Sequence, residues 1–146
     1  MIYSPDILAR LIKRASLSKK PNTKVGAILV DEDNNIIFEA SNDYIYPLYE
    51  DLNIEAEVDR NFYSEHAERR LIFSAVNSGF CAFQDKTLVV THFPCCDCAR
   101  AIILIGIKKI IVFSRNMDDD FLKKWEGNIA VSKKMLEYNK VDILFV

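Results

Sequence analysis

Two short stretches carry the side chains best suited to chemistry, His66-Ala67-Glu68 and Pro94-Cys95-Cys96-Asp97-Cys98. One imidazole and two thiolates fill three positions of a tetrahedral zinc site and leave the fourth position for water. The two thiolate charges balance the 2+ charge of the ion, and water beside zinc loses a proton near neutral pH. The sequence therefore predicts a zinc site whose ligands are His66, Cys95 and Cys98.

Glu68 is predicted to move protons at this site. It lies two residues from His66, too close to be a comfortable ligand of the same ion, and a carboxylate there is well placed for general acid–base work. Attack of hydroxide on an amidine carbon, with protons passed to a ring nitrogen and to the leaving ammonia, is hydrolytic deamination. A redox dithiol needs no His-x-Glu helix opposite it. A structural zinc site needs a fourth ligand, and the spare Cys96 is interpreted as a packing residue.

Length and composition predict one globular domain over residues 1–146, with half of the residues apolar. The net charge of −2 supplies no basic field for a nucleic-acid partner. The chain has no apolar run of about 18 residues for a membrane span, and no signal peptide is visible. Three of the four cysteines lie within 95–98, which favours a metal site in a reducing compartment over a disulfide framework. We therefore expect a cytoplasmic protein, in the host cytoplasm if the chain is viral.

Apolar periodicity predicts nine elements in the order α-β-β-α-β-α-β-α-β. The helices are expected over about 6–19, 64–77 (with Ser64 as N-cap), 95–105 and 129–139, and the strands over about 25–30, 36–40, 87–91, 109–113 and 141–146. Residues 41–63 show neither the helical nor the strand periodicity and are expected to be a loop beside the site. Residues 118–127 are expected to be a polar connection. Four basic residues off the apolar stripe of the first helix are interpreted as a solvated face: Lys13, Arg14, Lys19 and Lys20.

This order predicts an α/β fold with three layers, α/β/α. Strand–helix–strand crossovers make the last three strands parallel, the last two of them through the final helix, and the first two form an antiparallel hairpin. The result is a mixed five-stranded sheet with helices on both faces. Both chemical motifs then lie at helix N-termini, where the helix dipole favours thiolates at Cys95 and Cys98.

Residues 21–27, the His66-Ala67-Glu68 motif and residues 91–99 resemble the zinc-dependent cytidine and deoxycytidylate deaminase superfamily. The sequence looks most like the deoxycytidylate (dCMP) deaminases, including the small ones of phages and viruses, over about residues 5–113. The resemblance implies a cytidine-deaminase-like fold, a Zn²⁺ cofactor and hydrolysis of dCMP to dUMP and ammonia in pyrimidine nucleotide metabolism. It also implies a homo-oligomer.

By position, the resemblance implies that His66, Cys95 and Cys98 are the zinc ligands and that Glu68 is the proton shuttle. It further implies that Asn42 contacts the sugar and base of the substrate and that the Ala67 backbone meets the pyrimidine edge. Asn22 and Lys24 are implied to contact the phosphate side. Arg70 stands where the family has asparagine, and is either a fork for phosphate or a charge on the helix surface. The glycine that usually follows Asn42 is absent, as are ligands for a second zinc.

Two other interpretations stay open at this level. The first is a deaminase of the same superfamily that acts on another nucleotide, a nucleoside, a free base or tRNA adenosine, although the charge balance speaks against tRNA. The second is a non-catalytic zinc-binding subunit. Glu68 argues against this second interpretation, because a purely structural site has no use for a proton shuttle.

Overall fold

The computed structural model of the protein describes residues 4–45 and 61–146. Within these ranges the elements are α1 (Pro5–Ser16), β1 (Gly26–Val30), β2 (Ile36–Ser41), β3 (Asp43–Tyr44), β4 (Ser64–Glu65), α2 (Ala67–Asn77), β5 (Thr87–Val90), α3 (Cys96–Ile105), β6 (Lys109–Val112), α4 (Asp119–Tyr138) and β7 (Asp142–Phe145). None of the helices in these ranges is long and apolar enough to cross a membrane.

The main sheet has the strand order β2-β1-β5-β6-β7. Strand β1 is antiparallel to β2 and β5, while β5, β6 and β7 run parallel. Alternate residues of β1 serve opposite faces: Ala27 and Leu29 join the core under α2 and α3, whereas Ile28 and Val30 join the core under α1. The predicted three-layer fold and mixed sheet are confirmed.

Gly26 lies where α1 comes closest to the sheet. A Cβ atom at this position would stand 2.8 Å from the carbonyl oxygen of Leu11 and 3.0 Å from the backbone nitrogen of Ala15. Backbone atoms cannot move aside as a flexible side chain does. We therefore expect Gly26→Ala to lower the free energy of unfolding by about 2–3 kcal/mol, measured by urea denaturation.

Gly127 provides the matched control, because a Cβ atom there meets nothing within 4 Å. It lies inside α4, where glycine is a poor helix former. Gly127→Ala should therefore raise the free energy of unfolding by about 0.5–1 kcal/mol. A Gly26→Ala variant as stable as the parent protein would contradict the close packing of α1 on β1.

The helix that carries the first motif begins later than the sequence predicts. His66 is its N-cap and Ala67 its first residue, so the prediction of Ser64 as N-cap is wrong. Ser64 and Glu65 instead form strand β4, whose residues pair with Tyr44 and Asp43 of β3. The backbone groups of Ser64 and Glu65 pair with β3, so these two residues do not extend the helix. The rest of the predicted loop, residues 46–60, lies outside the described residues.

The last helix begins ten residues earlier than predicted, so the interpretation of residues 118–127 as a polar connection is wrong. Helix α4 runs from Asp119 to Tyr138. Asp118 caps it: its carboxylate accepts a hydrogen bond of 2.8 Å from the backbone N–H of Phe121. Two further acidic residues in the first turn suit the positive end of the helix dipole. The polar character of this stretch thus comes from a capped helix start.

Candidate metal centre and active site

The three predicted metal ligands come together at the N-termini of α2 and α3. His66 is the N-cap of α2, Cys95 is the N-cap of α3, and Cys98 lies in the first turn of α3. The Nδ1 atom of His66 is 3.3 Å from the Cys95 sulfur and 3.5 Å from the Cys98 sulfur. Donor atoms on a tetrahedral zinc ion stand about 3.6 Å apart, given bonds of about 2.0–2.3 Å. The donor set and its spacing therefore fit Zn²⁺.

The charges of these three groups depend on one another. Hydrogen bonds from Cys98 and from His66 lower the pKa of Cys95 to about 4. The hydrogen bond to Cys95 raises the pKa of His66 to about 9, and the proton shared with Cys95 raises that of Cys98. The cluster thus holds a thiolate at neutral pH. A cation bound here replaces the positive charge that the His66 proton supplies, and its binding releases protons.

Glu68 lies beside the metal ligands and is only 3% exposed. One of its carboxylate oxygens accepts a hydrogen bond of 3.4 Å from the Cys98 sulfur. Burial raises the pKa of Glu68, because the charged form is poorly solvated there. A carboxyl group with a raised pKa can accept a proton and give it up again during a reaction near neutral pH.

A cavity of about 420 Å³ opens over this cluster, a volume typical of small-molecule sites. His66, Glu68 and Cys95 form its floor. Its walls come from the segment before β1, from the paired strands β3 and β4 with their described neighbours, from the end of β5 and from α4. The wall residues are Lys20, Pro21, Asn22, Thr23, Val25, Asn42, Tyr44, Asn61, Ser64, Glu65, His92, Phe93, Phe121, Lys124, Trp125 and Ile129. The cavity therefore combines an apolar lining with a few polar and cationic groups above the metal site.

Two of the predicted substrate-binding residues line this cavity, Asn22 and Asn42. The carboxamide of Asn42 accepts a hydrogen bond of 2.8 Å from the Val25 N–H and donates one of 2.7 Å to the Thr23 carbonyl. Asn42 thus holds the segment before β1 in place as a wall of the cavity. Its predicted contact with the substrate sugar and base stays a prediction.

The other three predicted substrate residues do not line the main cavity. The Lys24 ammonium donates to the Ser18 carbonyl over 2.9 Å and lines a smaller neighbouring cleft. The Arg70 guanidinium donates to the Ser41 carbonyl over 2.8 Å, away from the cavity. Ala67 is fully buried in the first turn of α2, between two residues of the floor.

Sequence reasoning missed Lys20 as a cavity residue, because it was assigned to a solvated helix face. Its ammonium group donates 3.1 Å hydrogen bonds to the side chains of Asn61 and Ser64, and it stands 5.2 Å from the centre of the Tyr44 ring. These partners are distant in sequence, so no local pattern signals the contact. Lys20 places a positive charge in the cavity wall.

The cavity face of α4 was also missed. Phe121, Trp125 and Ile129 follow one another at intervals of four residues, the spacing that places side chains on one helix face. The Asp118 cap followed by this repeat is the sequence signal that could have revealed it.

His92 forms part of the wall as a buried, neutral ring. The Thr91 hydroxyl lies 2.8 Å from its Nδ1 atom and accepts a 3.0 Å hydrogen bond from the Gly26 N–H. Burial lowers the pKa of His92, and the Asn116 carbonyl accepts a hydrogen bond from its ring. The Thr91 hydroxyl therefore donates to Nδ1, and the end of β5 is fixed to the start of β1 beside the site.

The three-layer fold and the His–Cys–Cys cluster beside a buried glutamate define a metal-binding α/β domain with a proton-carrying group in its cavity. Residues 5–114 match the family model described as the cytidine and deoxycytidylate deaminase zinc-binding region. The match covers more than half of the sequence, and the chain belongs to this family. The predicted resemblance is confirmed.

Three known proteins illustrate the relationship. A probable deoxycytidylate deaminase of Caenorhabditis elegans is 34% identical over 137 residues, which cover 90% of this chain and 64% of that protein. An uncharacterized deaminase of Aliivibrio fischeri, from the luxG 3′ region, is 30% identical over 131 residues, which cover 90% of this chain and 84% of that protein. The dCMP deaminase of cyanophage S-TIM5, in complex with dCMP and dUMP, superposes with a TM-score of 0.68 at 23% identity, over 99% of each chain. This last likeness shows a shared fold.

Proposed function

We propose that the protein hydrolyses dCMP to dUMP and ammonia, with Zn²⁺ held by His66, Cys95 and Cys98. One observation carries the proposal: the three ligands cluster beside the buried Glu68, and His66, Cys95 and Glu68 form the floor of a cavity large enough for a nucleotide. When bound there, Zn²⁺ supplies Lewis-acid activation of water. The name of the C. elegans relative supports dCMP as the substrate.

Glu68 is the residue that moves protons in this proposal. Its carboxylate oxygen takes a proton from the attacking water and delivers it to the ring nitrogen of the cytosine base. Glu68 then takes the proton of the new C4 hydroxyl and passes it to the exocyclic amine, which leaves as ammonia while the C4 carbonyl of uracil forms. The raised pKa of Glu68 suits both transfers, because the group must hold the proton between them.

Ammonia release by the zinc-loaded protein tests the substrate. The panel contains cytosine, deoxycytidine, dCMP, dCTP, guanine and a tRNA anticodon loop with adenosine. We expect kcat/KM for dCMP to exceed that for deoxycytidine by about 100-fold, since a phosphate held by charged groups contributes about 3 kcal/mol. Turnover of another panel member without turnover of dCMP would contradict the proposed substrate.

Lys20 and Lys124 are the lysines that line the main cavity among the described residues, and we propose that they contact the phosphate. Lys20→Met and Lys124→Met should each raise KM for dCMP about tenfold, the effect of losing one charged hydrogen bond. The KM for deoxycytidine should change less than about twofold, because that substrate has no phosphate. Steady-state kinetics with both substrates measure the difference.

The neighbouring lysines provide matched controls. Lys19 and Lys123 are exposed and are not among the residues that line the cavity. Lys19→Met and Lys123→Met should leave both KM values within about twofold of the parent enzyme, as expected for surface substitutions. An equal loss of dCMP affinity in these controls would point to a general charge effect and contradict specific phosphate contacts.

We also propose that residues 1–146 act as a single domain in the reducing cytoplasm, since its function rests on free thiolates. A homo-oligomer is proposed as well. It is supported by large apolar side chains left exposed, such as Leu104 at 86% and Tyr138 at 87%. Size-exclusion chromatography with light scattering measures the assembly, and a strictly monomeric protein at micromolar concentration would contradict it.

A further inference from the structure

Helix α4 places an aromatic surface in the cavity, next to the metal ligands. The centres of the Trp125 and His66 rings are 6.5 Å apart, and their planes are nearly perpendicular at 85°. The Phe121 ring lies 6.2 Å from that of Trp125, and these two planes differ by only 31°. The two side chains thus place adjacent aromatic rings in the lining of the cavity.

This surface is held in a fixed position relative to the cysteines. The Ser132 hydroxyl, buried in α4, donates a 2.6 Å hydrogen bond to the Pro94 carbonyl. The Asn128 carboxamide accepts a 2.8 Å hydrogen bond from the Cys96 N–H, which is among the N–H groups at the start of α3 that have no partner within the helix. Trp125 lies about one turn before Asn128 and about two turns before Ser132, so these two hydrogen bonds fix its helix against the cysteine segment.

Phe121 is fixed in turn by the wall behind it. Its ring contacts His92 edge-on, with ring centres 4.7 Å apart. His92 is hydrogen-bonded to Thr91, which is bound to the start of β1. Both aromatic side chains are half-buried, so each keeps part of its surface open to the cavity.

A planar heteroaromatic base has a natural place on such a surface. Stacking of a base on an aromatic ring is favourable and tolerates different bases, because every base has a π-face. A base that lies parallel to the indole of Trp125 stands nearly perpendicular to the His66 ring.

We propose that Trp125, together with Phe121, is the surface on which the substrate base stacks beside the metal site. The proposal rests on the deaminase function for its choice of a nucleobase. Both residues lie outside residues 5–114, which match the family model.

Trp125 is the only tryptophan of the chain, so its fluorescence reports directly on this surface. The zinc-loaded Glu68→Gln protein is titrated with dCMP, deoxycytidine, guanine and deoxyribose 5-phosphate while the emission is recorded, and binding is measured in parallel by calorimetry. We expect a saturable change in emission with dCMP and none with deoxyribose 5-phosphate, which has no base. Binding of dCMP without any change in emission would overturn the stacking proposal.

Kinetics of Trp125 variants give a second test. Trp125→Leu should raise KM for dCMP about tenfold and change kcat less than about threefold, the pattern for loss of one stacking contact. Trp125→Phe should restore KM to within about threefold, since a phenyl ring still stacks. Glu126→Gln, at an exposed position of the same helix that does not line the cavity, should leave KM unchanged. A Trp125→Leu variant with the KM of the parent enzyme would overturn the proposal.

The two tests separate this proposal from the proposed function. Turnover of dCMP without an emission change rejects the stacking surface and leaves the function in place. An emission change with guanine or deoxycytidine, combined with no dCMP turnover, rejects dCMP as substrate and leaves the surface in place. No emission response to any base overturns the stacking surface, whichever substrate is turned over.

Discussion

Glu68→Gln should lower kcat for ammonia release by about 1000-fold or more, while the zinc content stays at the level of the parent protein. Glutamine has the size and shape of glutamate, so the buried side chain, 3% exposed, keeps its packing. It cannot accept and return a proton, and general acid–base catalysis contributes about 100- to 10,000-fold. Two such transfers depend on Glu68 in the proposed mechanism. The checks are steady-state kinetics and metal analysis of the same preparation.

Glu65→Gln is the matched control, because Glu65 also lines the cavity. Its carboxylate accepts hydrogen bonds from the His66 N–H and from Arg69, and a glutamine oxygen can accept the first of these. Loss of its partly exposed ion pair should change activity by no more than about fivefold. If Glu68→Gln kept normal turnover, or lost its zinc, Glu68 would not be the proton shuttle.

Cys98→Ser should remove zinc from the protein and abolish turnover. Cys98 is fully buried, and its thiol is one of two sulfur donors in the cluster. A ligand present at about a thousandfold above its Kd stabilises a protein by about 4 kcal/mol. For a domain of this size that corresponds to about 10 °C in Tm. Calorimetric scans with and without added zinc should therefore show a zinc-dependent rise in Tm for the parent protein and no such rise for Cys98→Ser.

Cys96→Ser separates metal binding from the general effect of replacing a cysteine. Cys96 lies between the ligands, but its thiol donates to the Asn128 carbonyl, and a serine hydroxyl can donate there too. We expect this variant to bind zinc normally and to keep its Tm within about 3 °C of the parent. A zinc-dependent Tm in Cys98→Ser, or loss of zinc in Cys96→Ser, would contradict the ligand set.

The catalytic floor could be predicted because its signals are local. His66 and Glu68 are two residues apart, Cys95 and Cys98 are three apart, and both pairs stand at helix starts. Alternating or continuous apolar runs likewise predicted the five strands of the main sheet. Chemistry that depends on short spacings within one turn of helix can be inferred from the chain alone.

The cavity walls could not be predicted in the same way. Lys20 reaches the cavity through Asn61 and Ser64, more than 40 residues away, and strand β4 exists because it pairs with β3. Such contacts are set by tertiary packing, which overrides local propensity. The start of α4 was different, because Asp118 is a local N-cap signal. An acidic first turn and an internal glycine are also typical of a loop, so they compete with this cap signal.

The division of the cavity between two parts of the chain has a consequence for evolution. The floor, with its metal ligands and Glu68, lies within the family-matched residues 5–114, whereas Phe121, Lys124 and Trp125 lie on a helix beyond them. Substitutions on α4 can reshape the wall without touching a ligand of the metal. Lineages that share this domain could thus acquire new substrate preferences by drift in one helix, while purifying selection preserves the reaction itself.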